Sequence, residues 1–275
     1  MTDADPRSLR EGDLDDRVES LTRLLDRVER HGDDAAAEAV RELVRDYPSY
    51  HRTLFCRAMN RAAVFGDASL ERPLLAAVAD SRYNCQAWAM MGCIALGIRS
   101  VVPDLPAFLD HPQWMAREQA VIGLGQLGDE SVVDVLVPLL GDPADWMRAR
   151  CAEALSTIGG DAALAALWQE LVHRRYQRIG YVASALSRFD PDVVIPRLLE
   201  VAGGDDPDQR YWAAVALGST GDDRARPMLE QLLATDRGRT VFDGEVRAAA
   251  KKALRTLRRV QAAIAAREES SRDDS

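Results

Sequence analysis

WMAREQAVIGLGQLGD, residues 114–129, and RYWAAVALGSTGD, residues 210–222, are two copies of one pattern. Arg117 falls on Arg210, Ala120 on Ala213, Leu124 on Leu217 and Gly128 on Gly221, three 31-residue periods apart. Steps of 31 residues in both directions carry the pattern through Gly66, Gly97, Gly128, Gly159, Asp190 and Gly221. Just before these stand Phe65, Leu96, Leu127, Ile158, Phe189 and Thr220. Three residues earlier come Ala62, Cys93, Leu124, Leu155, Leu186 and Leu217, and four before those Ala58, Ala89, Ala120, Cys151, Val182 and Ala213. These mostly apolar columns lie at helical spacing and predict the buried stripe of one helix per repeat. The glycine predicts its end, because a C′ residue with positive φ costs little only for Gly or Asn.

A second helix is predicted in the same phase. Its clearest column is Leu74, Leu105, Leu136, Leu167, Leu198 and Leu229, followed four residues on by Val78, Leu109, Leu140, Leu171, Ala202 and Leu233. Pro103, Pro196 and Pro227 share a register near the helix start, where proline loses no hydrogen bond. Ser100, Ser131, Asp161, Asp192 and Asp223 are the expected caps. The fold class that follows is all-α: a right-handed α-solenoid of about six 31-residue helix pairs. Residues 1–13 are expected to be disordered. Residues 14–267 form a single solenoid, with an N-terminal cap over 14–49, six repeats over 50–236, and a loop and capping helix over 237–267. A disordered polar tail is expected over 268–275.

Alanine and leucine dominate the apolar 47% of the chain, and aromatic residues make up only 6%. That balance favours helix over sheet. The net charge of −9 disfavours a general grip on nucleic acid, although a local basic patch is compatible with it. Cys56, Cys85, Cys93 and Cys151 contain no CxxC pair and do not read as a disulfide framework. The acidic N-terminus is no signal peptide, and the longest apolar run, 87–98, is too short to span a bilayer. The expectation is a soluble cytoplasmic protein with no membrane association.

The segments 114–129 and 210–222 resemble the short HEAT repeat, a type also found in phycobilin lyases. The likeness covers about two thirds of the chain. It implies the fold, whereas function varies among such proteins between adaptors, lyases, hydroxylases and DNA glycosylases. It also implies a ladder of an Asp before each first helix and an Arg in its first turn. The matching residues are Asp110 with Arg117, Asp142 with Arg148, and Asp206 with Arg210. The second repeat has Asp80 with Gln86, and the fifth has His173 with Ile179, so the ladder is broken twice.

No catalytic constellation stands out. None of His31, His51, His111 and His173 precedes a glutamate, which removes the His-Glu pairs a di-iron hydroxylase needs. Cys93 and Cys151 fall in core columns, and Cys56 and Cys85, close to one register, lack nearby partners, so no metal is expected. No phosphate-binding glycine loop or nucleophile elbow is present. Glu118 and Glu153 are the candidate acids or bases, with a solvated helix charge as the plainer reading.

One edge collects large and basic residues: Tyr83, Trp114 and Tyr176 in one register, Trp146 beside it, and His111, Arg150, His173, Arg174, Arg175 and Arg178 nearby. Tyr, Trp and Arg anchor protein interfaces and also suit stacking and phosphate contact. Gln169, Glu200 and Gln231 share a register facing solvent in the groove of the second helices. The leading expectation is a non-catalytic scaffold or adaptor. It would hold a protein or peptide on its concave face and basic-aromatic ridge, without a cofactor. Two alternatives stay open: nucleic-acid binding through the Arg174–Arg178 ridge, as in HEAT-like DNA glycosylases, and an enzyme or small-molecule carrier with a pocket in the groove.

Overall fold

The computed structural model describes residues 6–173, 179–241 and 243–273. The chain is an all-α repeat solenoid. Among the described residues the only extended pairing is the isolated bridge between Arg239 and Glu245. It divides into two compact units, Met1–Asp129 and Glu130–Ser275, the boundary falling inside the third repeat.

In the first unit, α1 (Leu14–His31) and α2 (Asp34–Arg45) form the capping pair. Asp13 caps α1 by accepting from the Asp16 N–H, and Asp33 caps α2 by accepting from the Ala36 N–H. Disorder is expected up to residue 13, but an ordered turn begins at Pro6. Pro6–Leu9 forms a 3-10 turn that buries Leu9. Arg10 then bridges Glu42 and Asp46 and lies 4.6 Å from the Tyr50 ring centre. The first repeat splits its first helix into α3 (Arg52–Met59) and α4 (Ala62–Phe65). At that break Arg61 reaches back to Asp26 and Glu29 of α1.

Next come α5 (Glu71–Ala79), α6 (Gln86–Ala95) and α7 (Trp114–Leu127). The first helices α3, α6 and α7 pack in series. Between α6 and α7 the predicted second helix is a 3-10 helix, Arg99–Phe108, with Pro103 and Pro106 inside it. Two prolines three residues apart remove two backbone donors, and their rings clash with the carbonyls four residues back, so a regular α-helix does not form there.

The second unit opens the same way, with a short α8 (Val133–Leu136) passing into a 3-10 helix, Val137–Gly141, at Pro138. It continues with α9 (Asp145–Ile158), α10 (Gly160–His173), α11 (Gly180–Leu186), α12 (Pro191–Ala202), α13 (Pro207–Thr220) and α14 (Arg226–Thr235). The cap of α12 is Asp190, which accepts from the Asp192 N–H, so the expected cap Asp192 sits inside the first turn. The last helix, α15 (Val246–Asp273), runs through the predicted tail as far as Asp273. Helices α9, α11, α13 and α15 pack in series, so α15 occupies the place of a further first helix. It buries Val246, Ala249, Ala250, Ala253, Leu254 and Leu257, one apolar stripe at helical spacing.

The leucine column is the backbone of both cores. Leu74 and Leu105 in the first unit, and Leu136, Leu167, Leu198 and Leu229 in the second, are all 0% exposed. The glycine column is not uniform, and Gly128 ends α7 at φ −75°, without the expected positive φ. Gly97, Gly159 and Gly221 adopt positive φ, as expected of helix ends. Gly66 has φ −75° and is required by space instead, since a Cβ there would lie 2.4 Å from Leu96 Cδ2 and 2.7 Å from the Ala62 carbonyl.

Candidate binding surface and a buried polar cluster

The arginine column closes the loops. Arg117 Nη1 donates to the carbonyls of His111 (2.7 Å) and Pro112 (3.2 Å). Arg148 Nη1 donates to Asp142 (2.6 Å) and Pro143 (3.2 Å), and Arg210 Nη1 to Gly204 (3.0 Å) and Asp205 (2.7 Å). Each guanidinium holds the two carbonyls five and six residues before it, which fixes the loop entering its own helix. In the second repeat Gln86 is a shorter arm doing related work: it is buried, and its Nε2 donates to the Val78 carbonyl at 2.8 Å. Ile179 fills the fifth position as a fully buried apolar residue.

Among the aspartates of the implied ladder, Asp206 is the N-cap of α13, whereas Asp142 makes a local turn just ahead of α9. Asp142 Oδ1 accepts from the Ala144 N–H (2.7 Å) and Asp206 Oδ1 from the Asp208 N–H (2.8 Å), while Asp110 is exposed. Carboxylate partners come from elsewhere: Asp145 for Arg148 and Asp236 for Arg210.

Asp236 shows how such a pair responds to pH. Burial alone would raise its carboxyl, but hydrogen bonds from Arg210 and from the Gly238 N–H outweigh that and hold it below the usual range. A carboxyl with a lowered folded pKa binds fewer protons in the native state than in the unfolded one. Its contribution is therefore complete above the unfolded value of about 3.9 and lost as pH falls further. Asp236→Asn is expected to destabilise the second unit at neutral pH by about 1–3 kcal/mol. It should also flatten the acid limb of a urea-unfolding series taken from about pH 5 to about pH 3. An unchanged acid limb would mean that other carboxylates carry it.

The predicted surface residues fall as follows. In the first unit His111 is half-buried, its Nδ1 accepting from the Gln113 N–H at 3.2 Å. Trp114, the first residue of α7, is 57% exposed. In the second unit Trp146 is half-buried and Arg150 pairs with Glu153 at 2.9 Å. His173 ends α10 and is exposed, whereas Arg174, Arg175, Tyr176 and Arg178 lie outside the described residues. Gln169, Glu200 and Gln231 are exposed at equivalent places on α10, α12 and α14.

A buried polar cluster in the second unit escapes the sequence reading. Arg148 is 4% exposed and Glu170 3%. The Tyr181 hydroxyl stands within electrostatic reach of both; burial pushes it up while Arg148 pulls it down. Cys151, within electrostatic reach of Glu170, is pushed up to about 12 by burial, and its Sγ donates to the Leu136 carbonyl at 3.0 Å. The available signal was Glu170 itself, a charge in the column Ala77, Phe108, Leu139, Glu170, Val201 and Leu232. Among the described residues no group of three His, Cys, Asp or Glu side chains is placed to hold a metal ion, and no helix is long and apolar enough to cross a membrane.

The HEAT-repeat family model matches three overlapping stretches, residues 70–156, 102–180 and 164–255. No curated protein matches the sequence. Among solved structures, the chain is similar to the complex of CpcE and CpcF of phycocyanin lyase from Nostoc, at 20% identity, covering 80% of this chain and 94% of that one with a TM-score of 0.46. It is also similar to human deoxyhypusine hydroxylase in complex with glycerol, at 19% identity over 93% of each chain and a TM-score of 0.36. A designed armadillo repeat protein in complex with the peptide (KR)4 shows 14% identity, coverage of 92% and 97%, and a TM-score of 0.34. With the family model spanning well over half of its length, the chain belongs to the HEAT-repeat family.

Proposed function

We propose that this HEAT-repeat chain is a non-catalytic scaffold that binds a protein or peptide partner. The reading is carried by Trp114, whose large side chain is 57% exposed at the start of α7. The loop ahead of it is held in place by Arg117. A rigid loop bearing an exposed tryptophan is suited to anchoring an interface, because little ordering cost remains to be met on binding. His111 flanks it in the first unit. The second unit has candidates of its own in Trp146, Arg150 and the exposed column Gln169, Glu200 and Gln231.

A tagged pull-down from native extract, with and without nuclease, tests this when the wild type and Trp114→Ala are compared. The expected result is a specific protein held by the wild type in both samples, and weakened at least about 30-fold by the substitution, as for an interface anchor. Equal capture by Trp114→Ala would overturn the assignment to this surface. Capture that vanishes with nuclease would replace it with nucleic-acid binding.

A further inference from the structure

Cys56 lies in α3, and Cys85 is the residue immediately before α6. Packing of α3 on α6 brings their sulfurs to 3.9 Å, one thiol hydrogen-bonded to the other. A disulfide needs about 2.05 Å, so about 2 Å remains to be closed. Cys85 is 0% exposed and sits at the N-terminus of the ten-residue α6, where the helix dipole favours an anion. Cys56 is half-buried. Tyr47 and Asp80, both within electrostatic reach of Cys85, line an open groove of about 570 Å³ in the first unit.

We propose that Cys56 and Cys85 are a peroxide-sensitive thiol pair that closes into an intramolecular disulfide. The hydrogen bond with Cys56 outweighs burial and, with Tyr47 and the charge of Arg52, lowers the Cys85 thiol. Cys56 is displaced upward by the same bond, and the position of Cys85 at the N-terminus of α6 makes it the nucleophile. The Cys85 thiolate attacks one oxygen of hydrogen peroxide. The O–O bond breaks, and the other oxygen leaves as hydroxide and takes up a proton to become water. The Cys56 sulfur then attacks the Cys85 sulfenic sulfur, the S–S bond forms and the S–O bond breaks, and a second water carries away the Cys56 proton. Two thiols are oxidised and one peroxide is reduced. The bond would staple α3 to the start of α6 and raise the melting temperature of the first unit by several degrees.

The chain carries its own controls, since Cys93 and Cys151 are as buried as Cys85 and burial pushes each up to about 12. The experiment treats the chain with hydrogen peroxide, counts thiols after denaturation, and maps peptides without reduction. The expected result is loss of two thiols and about 2 Da, a 56–85 crosslink, and reaction at least about tenfold faster than at the control cysteines. In Cys56→Ser, Cys85 should accumulate as a sulfenic acid that dimedone traps. Cysteines consumed without a 56–85 crosslink in the wild type, or reaction of the pair no faster than the controls, would overturn the proposal even if the serine variant failed to fold.

Discussion

Arg148→Met is expected to destabilise the second unit by about 3–5 kcal/mol, the range found when one partner of a buried charged group is removed. Methionine can replace the aliphatic stem but not the donors. The carbonyls of Asp142 and Pro143 would lose their partner, Asp145 would lose its ion pair, and the Tyr181 hydroxyl would lose its neighbouring charge. Glu170, 3% exposed and within electrostatic reach of that hydroxyl, would remain in an interior poorer by one positive charge. Arg117→Met removes an equivalent pair of carbonyl bonds from a half-exposed side chain, and water can replace those donors. Its cost should be about 1–2 kcal/mol. Urea unfolding of both variants gives the comparison directly. Equal losses would show that the buried cluster adds nothing to the loop closure. A variant at 148 as stable as the wild type would show that desolvation of the arginine already cancels its bonds.

Gly218→Leu is the second large effect. A Cβ at Gly218 would stand 2.6 Å from the Cα of Ala253 and 2.7 Å from its Cβ and carbonyl oxygen. The obstacle is mostly the backbone of α15, which cannot rotate aside as a side chain can. Helices α13 and α15 must separate to admit even one carbon, and leucine adds three more. The expected loss is about 3 kcal/mol or more, at the upper end of overpacking costs. It should be accompanied by rapid hydrogen exchange and early proteolysis along α15. Gly203→Ala is the control: its Cβ would meet nothing nearer than the Leu199 carbonyl at 3.5 Å, so stability should stay within about 1 kcal/mol. A Gly218→Leu chain that melts with the wild type would mean that α15 contributes little to the second unit.

The repeat was legible because its information is periodic. Leucine recurs where every repeat needs the same buried carbon, and all six leucines are fully buried. Proline content was legible too, but its consequence was not. One proline at a helix start is tolerated, whereas Pro103 with Pro106 shifts the whole segment to a 3-10 helix. The arginine column was visible, yet its acceptors were not, because every residue carries a carbonyl and none announces itself in the letters. Cys56 and Cys85 read as residues without nearby partners, although their sulfurs are 3.9 Å apart. Stacked repeats place like registers side by side, so a two-position offset across one period is a contact. Glu170 could have been found by asking which column it interrupts. Of the surface residues, Trp114 is placed openly, while Trp146 is half-buried and Arg150 is engaged with Glu153.

The arginine clamps of Arg117 and Arg148 close onto carbonyls only five and six residues upstream. Such a contact has very low sequence separation and closes at small entropic cost. It is also self-contained: a repeat carrying it brings its own ordered entry loop wherever it is inserted. Duplication or excision of one 31-residue unit therefore preserves this feature without any compensating change in the neighbour, which gives a chain of this kind a direct route to growing or shortening by whole modules.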